Sequence, residues 1–215
     1  MDKFTTVIFL LLSMGVFQAK AQCPEGMVES HNLVVNGNFS EGNRYFYSEY
    51  RVTRNLGPEG TFQVGSNPSR YHRDFRGKGR AGHGDQFMIV NGSPKTNTSV
   101  WCQKVKIKPK THYNFSAWIT TLVASNPAKL HFSINGQVLG TNINAPYSLY
   151  QWKRFDAVWY SGSETSATIC IVNLSTIRGG NDFGLDDIRF TTCIRPNASI
   201  QKKQIIREAA AEARH

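Results

Sequence analysis

The 215-residue chain lacks what most familiar enzymes need. It has no H-E-x-x-H to set two imidazoles on one helix face for zinc, no G-x-S-x-G for a strained nucleophilic serine, and no G-x-x-x-x-G-K-[ST] to cradle phosphates. Acidic residues are few, 15 against 25 Lys and Arg. The one adjacent pair is Asp186-Asp187, and neighbouring strand residues point to opposite faces, so these two do not flank a single glycosidic bond. Residues 77–82 match G-x-G-x-x-G, but no helical pattern follows to complete a dinucleotide-binding unit. Helical periodicity is missing until the tail, there is no internal repeat, and C-x-x-C does not occur.

What is present begins with an export pattern. Lys3, an apolar run from Val7 to Phe17 and Ala19-Lys20-Ala21 read as a signal peptide over residues 1–21, too short in its apolar part to span a bilayer. Its loss removes Asp2, Lys3 and Lys20, so the formal charge of +10 falls to +9. Residues 22–195 are long enough for one domain with a real core. Residues 196–215 change composition, and Gln201 to His215 reads as a short exposed helix or frayed C-terminal tail. No segment of the mature part is apolar enough to cross a membrane, so the chain reads as secreted or held at the cell surface.

Between Val28 and Phe190, short runs of alternating apolar and polar residues are separated by Asn, Gly, Pro and Ser, the pattern of an all-β sandwich. Tyr113, Phe115, Ala117 and Ile119 face inward and Asn114, Ser116, Trp118 and Thr120 outward. Leu130, Phe132 and Ile134 repeat the pattern, and Asn135-Gly136 supplies a two-residue hairpin turn. Phe155, Ala157 and Trp159, then Ala167, Ile169 and Ile171, continue the inward series, which Ile188 and Phe190 close. Residues 53–84, rich in Gly, read as a long loop or pair of loops over one end of the sandwich. Trp101 and Trp159 read as core, and Trp152 is undecided.

Four cysteines in an exported chain favour two disulfides, for which three connectivities exist. Cys102 and Cys170 both alternate to the outside of their strands, so a bond between them requires those strands to be neighbours. Cys23 and Cys193 flank the first and last strands and tie the termini together. Lys104, Lys106, Lys108 and Lys110 form a row of cations, either ordinary solvent-facing decoration or an attraction for an acidic polysaccharide or anionic surface. Nucleic acid suits an exported chain poorly. Five N-x-S sequons occur, at Asn38, Asn97, Asn114, Asn173 and Asn197.

The phrases Leu33-Val-Val-Asn-Gly-Asn-Phe-Ser40, Trp101-Cys-Gln103, Tyr113-Asn-Phe-Ser-Ala-Trp118, Phe132-Ser-Ile-Asn-Gly136 and Asn181-Asp-Phe-Gly-Leu-Asp-Asp-Ile188 carry a family likeness. Over residues 28–192 the chain resembles the galactose-binding-like jelly rolls of cellulose- and xylan-binding carbohydrate-binding modules, especially those on exported cell-surface proteins of Bacteroidetes. The resemblance implies a two-sheet jelly-roll β-sandwich without catalytic activity. It also implies a structural calcium between the first and last strands, held by Asn36, Asn38, Glu41 and Asp186, with Ser40 where such modules often carry an acidic ligand. Asp186 shares its parity with Ile188 and Phe190 and is expected to point inward. Glycan binding by such modules rests on aromatic platforms, here Trp118 with Asn114 beside it and His131 outward on the next strand, and a second platform at Tyr147 and Tyr150. Trp118 alternatively lies beneath a loop or the tail.

Three functions are open on this reading. The first is a non-catalytic carbohydrate-binding module for a polysaccharide or cell-surface glycan. A structural or adhesive sandwich that binds a protein partner is the second. A polysaccharide-active enzyme is the third, and it requires His72, Asp74, His83 and Asp85 of the long loop to converge.

Overall fold

The computed structural model describes residues 23–197; the expected signal peptide and all but the first two residues of the expected tail lie outside that range. Eleven strands follow one another: Val28–Asn32 (β1), Arg51–Val52 (β2), Thr61–Gly65 (β3), Phe87–Asn91 (β4), Thr98–Lys106 (β5), His112–Thr121 (β6), Lys129–Ile134 (β7), Gln137–Asn144 (β8), Trp152–Tyr160 (β9), Ser166–Asn173 (β10) and Phe183–Ile194 (β11). The one helical element among the described residues is a 3-10 turn at Pro68–Arg70. No described helix is long and apolar enough to cross a membrane.

The strands form two sheets, one of seven strands in the order β2-β3-β4-β11-β6-β9 with β1 also on β11, and one of four in the order β5-β10-β7-β8. This is the predicted all-β sandwich. Strict alternation drives it, because the inward residues of both sheets make one core that includes Trp101, Tyr113, Phe115, Ile119, Leu130, Phe132, Ile169, Ile171, Leu185 and Phe190. Aromatic packing ties the layers together: Phe115 of β6 stacks on Phe132 of β7 across the sandwich, ring centroids 4.2 Å apart. Trp101 is wholly buried and Trp159 packs against the core, as expected. The turn after β7 is the two-residue hairpin, Ile134 pairing with Gln137 while Asn135 (φ 50°) and Gly136 (φ 79°) take the left-handed conformations it requires.

Both cysteine pairings hold. Cys102 and Cys170 face each other across neighbouring strands β5 and β10, Cα atoms 4.2 Å apart, and Cys193 at the end of β11 bonds Cys23.

Two expectations are corrected. Residues 53–84 contain a strand, β3, paired with β2 and β4. The rest of the segment lies on the outer face of the seven-stranded sheet rather than over an end: Leu56 and Phe75 pack with Phe87, Ile89 and Leu122 in a second, smaller core, joined by Tyr71, Val123 and Trp152. Asp186 also faces the other way. It pairs with Trp118, and a β-bulge follows at Asp187 (φ 43°), so Leu185 and Ile188 both enter the core and Asp186 points outward. The turn at residues 36–42 docks into this irregularity, where the Ile188 amide donates to the Gly37 carbonyl at 2.9 Å. A Cβ at Gly37 would lie 2.0 Å from the Ile188 oxygen, so only glycine allows the approach.

Candidate functional site

The outer face of the seven-stranded sheet carries the polar side chains of β6, β9 and β11. At one end Asn114 donates to Glu29 Oε1 (2.7 Å) and Asp156 Oδ1 (3.0 Å), and Arg154 bridges the same two carboxylates at 2.8 and 2.7 Å. Asn114 is therefore outward but fully buried, its amide nitrogen engaged by the two carboxylates and its Oδ1 without a partner among the described residues. His131 is corrected more deeply. It lies on the outer face of the four-stranded sheet, on the far side of the sandwich from Trp118, and it is buried, which lowers its pKa. Trp118, Asn114 and His131 thus do not share a site.

Trp118 is half-buried beneath a strap. The Arg80 guanidinium sits 5.0 Å above its ring while ion-pairing with Asp187. The strap, residues 75–86, is held at several further points. Phe75 is in the smaller core, the Arg76 amide donates to the Leu122 carbonyl at 2.9 Å, and Trp152 Nε1 donates to the Lys78 carbonyl at 3.1 Å. Its glycines close on themselves through Gly82 N–H to the Gly79 carbonyl at 3.0 Å, and the Asp85 carboxylate accepts the Ala81 amide at 2.7 Å. The G-x-G-x-x-G match is a turn in a strap, with no helix after it.

Asp186, beneath the strap, is almost wholly buried. Burial pushes its carboxyl up to about 8, the neighbouring Asp187 and Asp85 charges push the same way, and the Asp187 amide and Arg80 oppose them. Asp182 is raised to about 7, again chiefly by burial, against a hydrogen bond from the Gly92 amide.

Of the residues implied for calcium, two already use a side-chain oxygen within their own turn. Asn36 Oδ1 accepts the Glu41 amide at 2.9 Å, and Asn38 Oδ1 accepts the Ser40 amide at 3.3 Å, so both side chains build their own turn. Asp186 faces Trp118 instead. The four enzyme candidates are similarly divided. His72 and Asp74 line a groove of about 270 Å³ with Glu59, Asn91 and Asp182, whereas His83 belongs to a different one.

That second groove, about 370 Å³, opens beside the strap and is lined by Asn67, Ser69, Phe75, Arg76, Gly77, Lys78, His83 and Tyr150. Tyr150 is its platform: it is 52% exposed and held at φ 64°, an uncommon conformation for a bulky residue. Its neighbours fix it there. Leu149 bridges to Thr121 in parallel, and the Thr120 hydroxyl donates to the Gln151 carbonyl at 2.6 Å. Such strain persists only where the surroundings over-determine it, and it clusters at functional positions. Tyr147, by contrast, is 82% exposed beside a separate groove of about 250 Å³ with Asn126 and Asn144. The sequence pointed to Tyr150 and, in another role, to His83; Asn67, Ser69, Arg76 and Lys78 come from a Gly-rich segment with no periodicity to place them.

Another groove, about 410 Å³, runs along Lys104 and Lys106 with Leu33, Val35 and Tyr45. Of the sequons, Asn38 and Asn97 are exposed, while Asn114 and Asn173 are wholly buried.

No family model matches the chain, and no curated protein matches it in sequence. Solved structures do. An apo form cyclase from Fischerella sp. is 14% identical, with 78% of this chain and 98% of that chain covered and a TM-score of 0.50. The Stig cyclase Fisc from Fischerella sp. TAU is also 14% identical, over 75% and 96%, with a TM-score of 0.50. TmCBM61 in complex with β-1,4-galactotriose is 18% identical over 75% and 98%, TM-score 0.49. Carbohydrate-binding modules and enzymes thus stand together among the structural neighbours, and the likeness is one of fold.

Proposed function

We propose that the chain is an exported carbohydrate-binding module whose glycan lies in the groove beside the strap and stacks on Tyr150. The observation that carries this reading is a half-exposed aromatic residue lining a groove with amide, hydroxyl and basic side chains and Phe75. A pyranose offers the matching surface, an apolar face for the ring and hydroxyls around its rim. Asn67, Ser69 and His83 are the hydrogen-bonding partners. Trp118 acts through Arg80 by anchoring the strap, and so positions Lys78 and His83 without touching sugar.

The reading involves no catalysis. His72, Asp74, His83 and Asp85 are shared between two grooves or engaged in turns, and Asp186 lines neither. The two disulfides suit an oxidising compartment outside the cytoplasm.

A glycan array followed by calorimetry tests the proposal. Tyr150→Ala is expected to weaken binding by roughly 30-fold or more, the loss typical of a central aromatic anchor, while leaving the thermal transition unchanged. If no glycan binds, the reading fails, and the Leu33, Val35 and Tyr45 groove becomes the surface to test for a protein partner.

A further inference from the structure

We infer that the groove beside the strap selects a glycan carrying anionic groups, a carboxylate or sulfate on the pyranose; this rests on the glycan-binding reading above. The groove lining contains Arg76, Lys78 and His83 and no carboxylate. Charges of the surrounding segment are sorted to produce this. Arg70, Arg73, Arg76, Lys78 and Arg80 fall within eleven residues that include a single acid, Asp74. Arg73 pairs with Asp74, which lines the other, acidic groove, and Arg80 pairs with Asp187 over Trp118. Among the described residues, those two pairings leave Arg70, Arg76 and Lys78 without an ion pair, and Arg76 and Lys78 line the Tyr150 groove.

Arg76 is more than a solvated surface charge. Its Nη1 donates to the Arg73 carbonyl at 2.6 Å and the Phe75 carbonyl at 2.9 Å, which fixes the guanidinium and leaves its remaining N–H groups for a ligand. A planar, pre-oriented fork suits an oxyanion better than a hydroxyl. Lys78 is held by its backbone through the Trp152 indole, and its ammonium has no acidic partner among the described residues. His83 is exposed and adds a ring nitrogen donor to the same lining. The formal charge of +10 steers anionic chains toward the protein as a whole, and the groove then supplies the local match.

The test uses the purified chain and four probes: oligogalacturonate, a sulfated chondroitin oligomer, and neutral xylo- and β-1,4-galacto-oligomers, each titrated in low and high salt. At least one anionic probe is expected to bind at least tenfold more tightly than both neutral ones, with about a tenfold loss between roughly 0.05 and 0.5 M salt. Binding of oligogalacturonate shows that a carboxylate suffices, whereas binding of the chondroitin oligomer alone, which carries both groups, assigns the sulfate as the recognised one. Lys78→Gln is expected to cost the anionic probe about tenfold and a neutral probe almost nothing, with the melting temperature unchanged. Equal binding of neutral and anionic probes, abolished by Tyr150→Ala, overturns this inference and leaves the glycan reading standing. Silence from all four probes and from the array removes both. Anionic binding that survives Lys78→Gln but is lost in Lys104→Gln/Lys106→Gln overturns the assignment to this groove in favour of the lysine row on β5.

Discussion

Asp186 shows how far a single position can depart from its sequence pattern. Counting parity back from Phe190 and Ile188 puts its side chain in the core, and the bulge at Asp187 reverses it. The outward carboxyl is nevertheless buried, under a strap whose Arg80 lies 107 residues away in sequence from its partner Asp187. Alternation therefore identifies a face without revealing what covers it, which is also why Asn114 was legible as outward and not as buried. The energetic consequence is testable. The folded state holds a proton on Asp186 up to about pH 8, whereas the unfolded chain releases it near the ordinary value of 3.8. Between those limits the folded state binds more protons than the unfolded one, so stability falls as pH rises from about 4 to 8. Asp182, raised to about 7, adds to the same slope at its lower end. Urea denaturation across that range should show Asp186→Asn with a clearly shallower decline than the wild type, retaining the Asp182 part and the opposing contribution of His131, whose pKa burial lowers. Parallel slopes would show that Asp186 ionises normally in the folded protein.

At the scale of strands, the elements that were legible are those whose signal is local. Tyr113 to Ile119 alternate over a full strand, and Asn135-Gly136 is sufficient for its turn. β3 was hidden because the five residues Thr61–Gly65 mean little without β4, whose Met88 and Val90 pair with Val64 and Phe62. The Cys102–Cys170 bond belongs with the legible elements, since two outward cysteines on different strands have a single way to meet. It joins β5 to β10 within a ladder that is hydrogen-bonded along its length, so its loss loosens the chain without changing its path. Cys102→Ser/Cys170→Ser is expected to lower unfolding stability by about 2–5 kcal/mol in urea while native near-ultraviolet circular dichroism is retained. Loss of that signal would mean the bond sets strand order and does not merely stabilise it.

On the scale of the whole molecule, what alternation leaves open is which of two outsides a residue faces. β6 and β7 are consecutive in sequence, yet they belong to different sheets, so their outward side chains point to opposite faces of the sandwich. Trp118 and His131 were separated by that fact alone. The groove depends on a further level, the small core of Leu56, Phe75, Phe87, Ile89 and Leu122 that glues the strap to the sheet. Because this core is distinct from the one between the sheets, the strap is expected to open without unfolding the sandwich. Phe75 is its key member, buried in the small core and also lining the groove. Phe75→Ala is expected to cost about 3–5 kcal/mol locally. In hydrogen exchange, protection should fall across residues 66–86 and remain unchanged in β6 and β11, and glycan binding should drop together with it. Uniform loss of protection throughout both sheets would mean that the two cores fold as one and that the strap is not an independent platform.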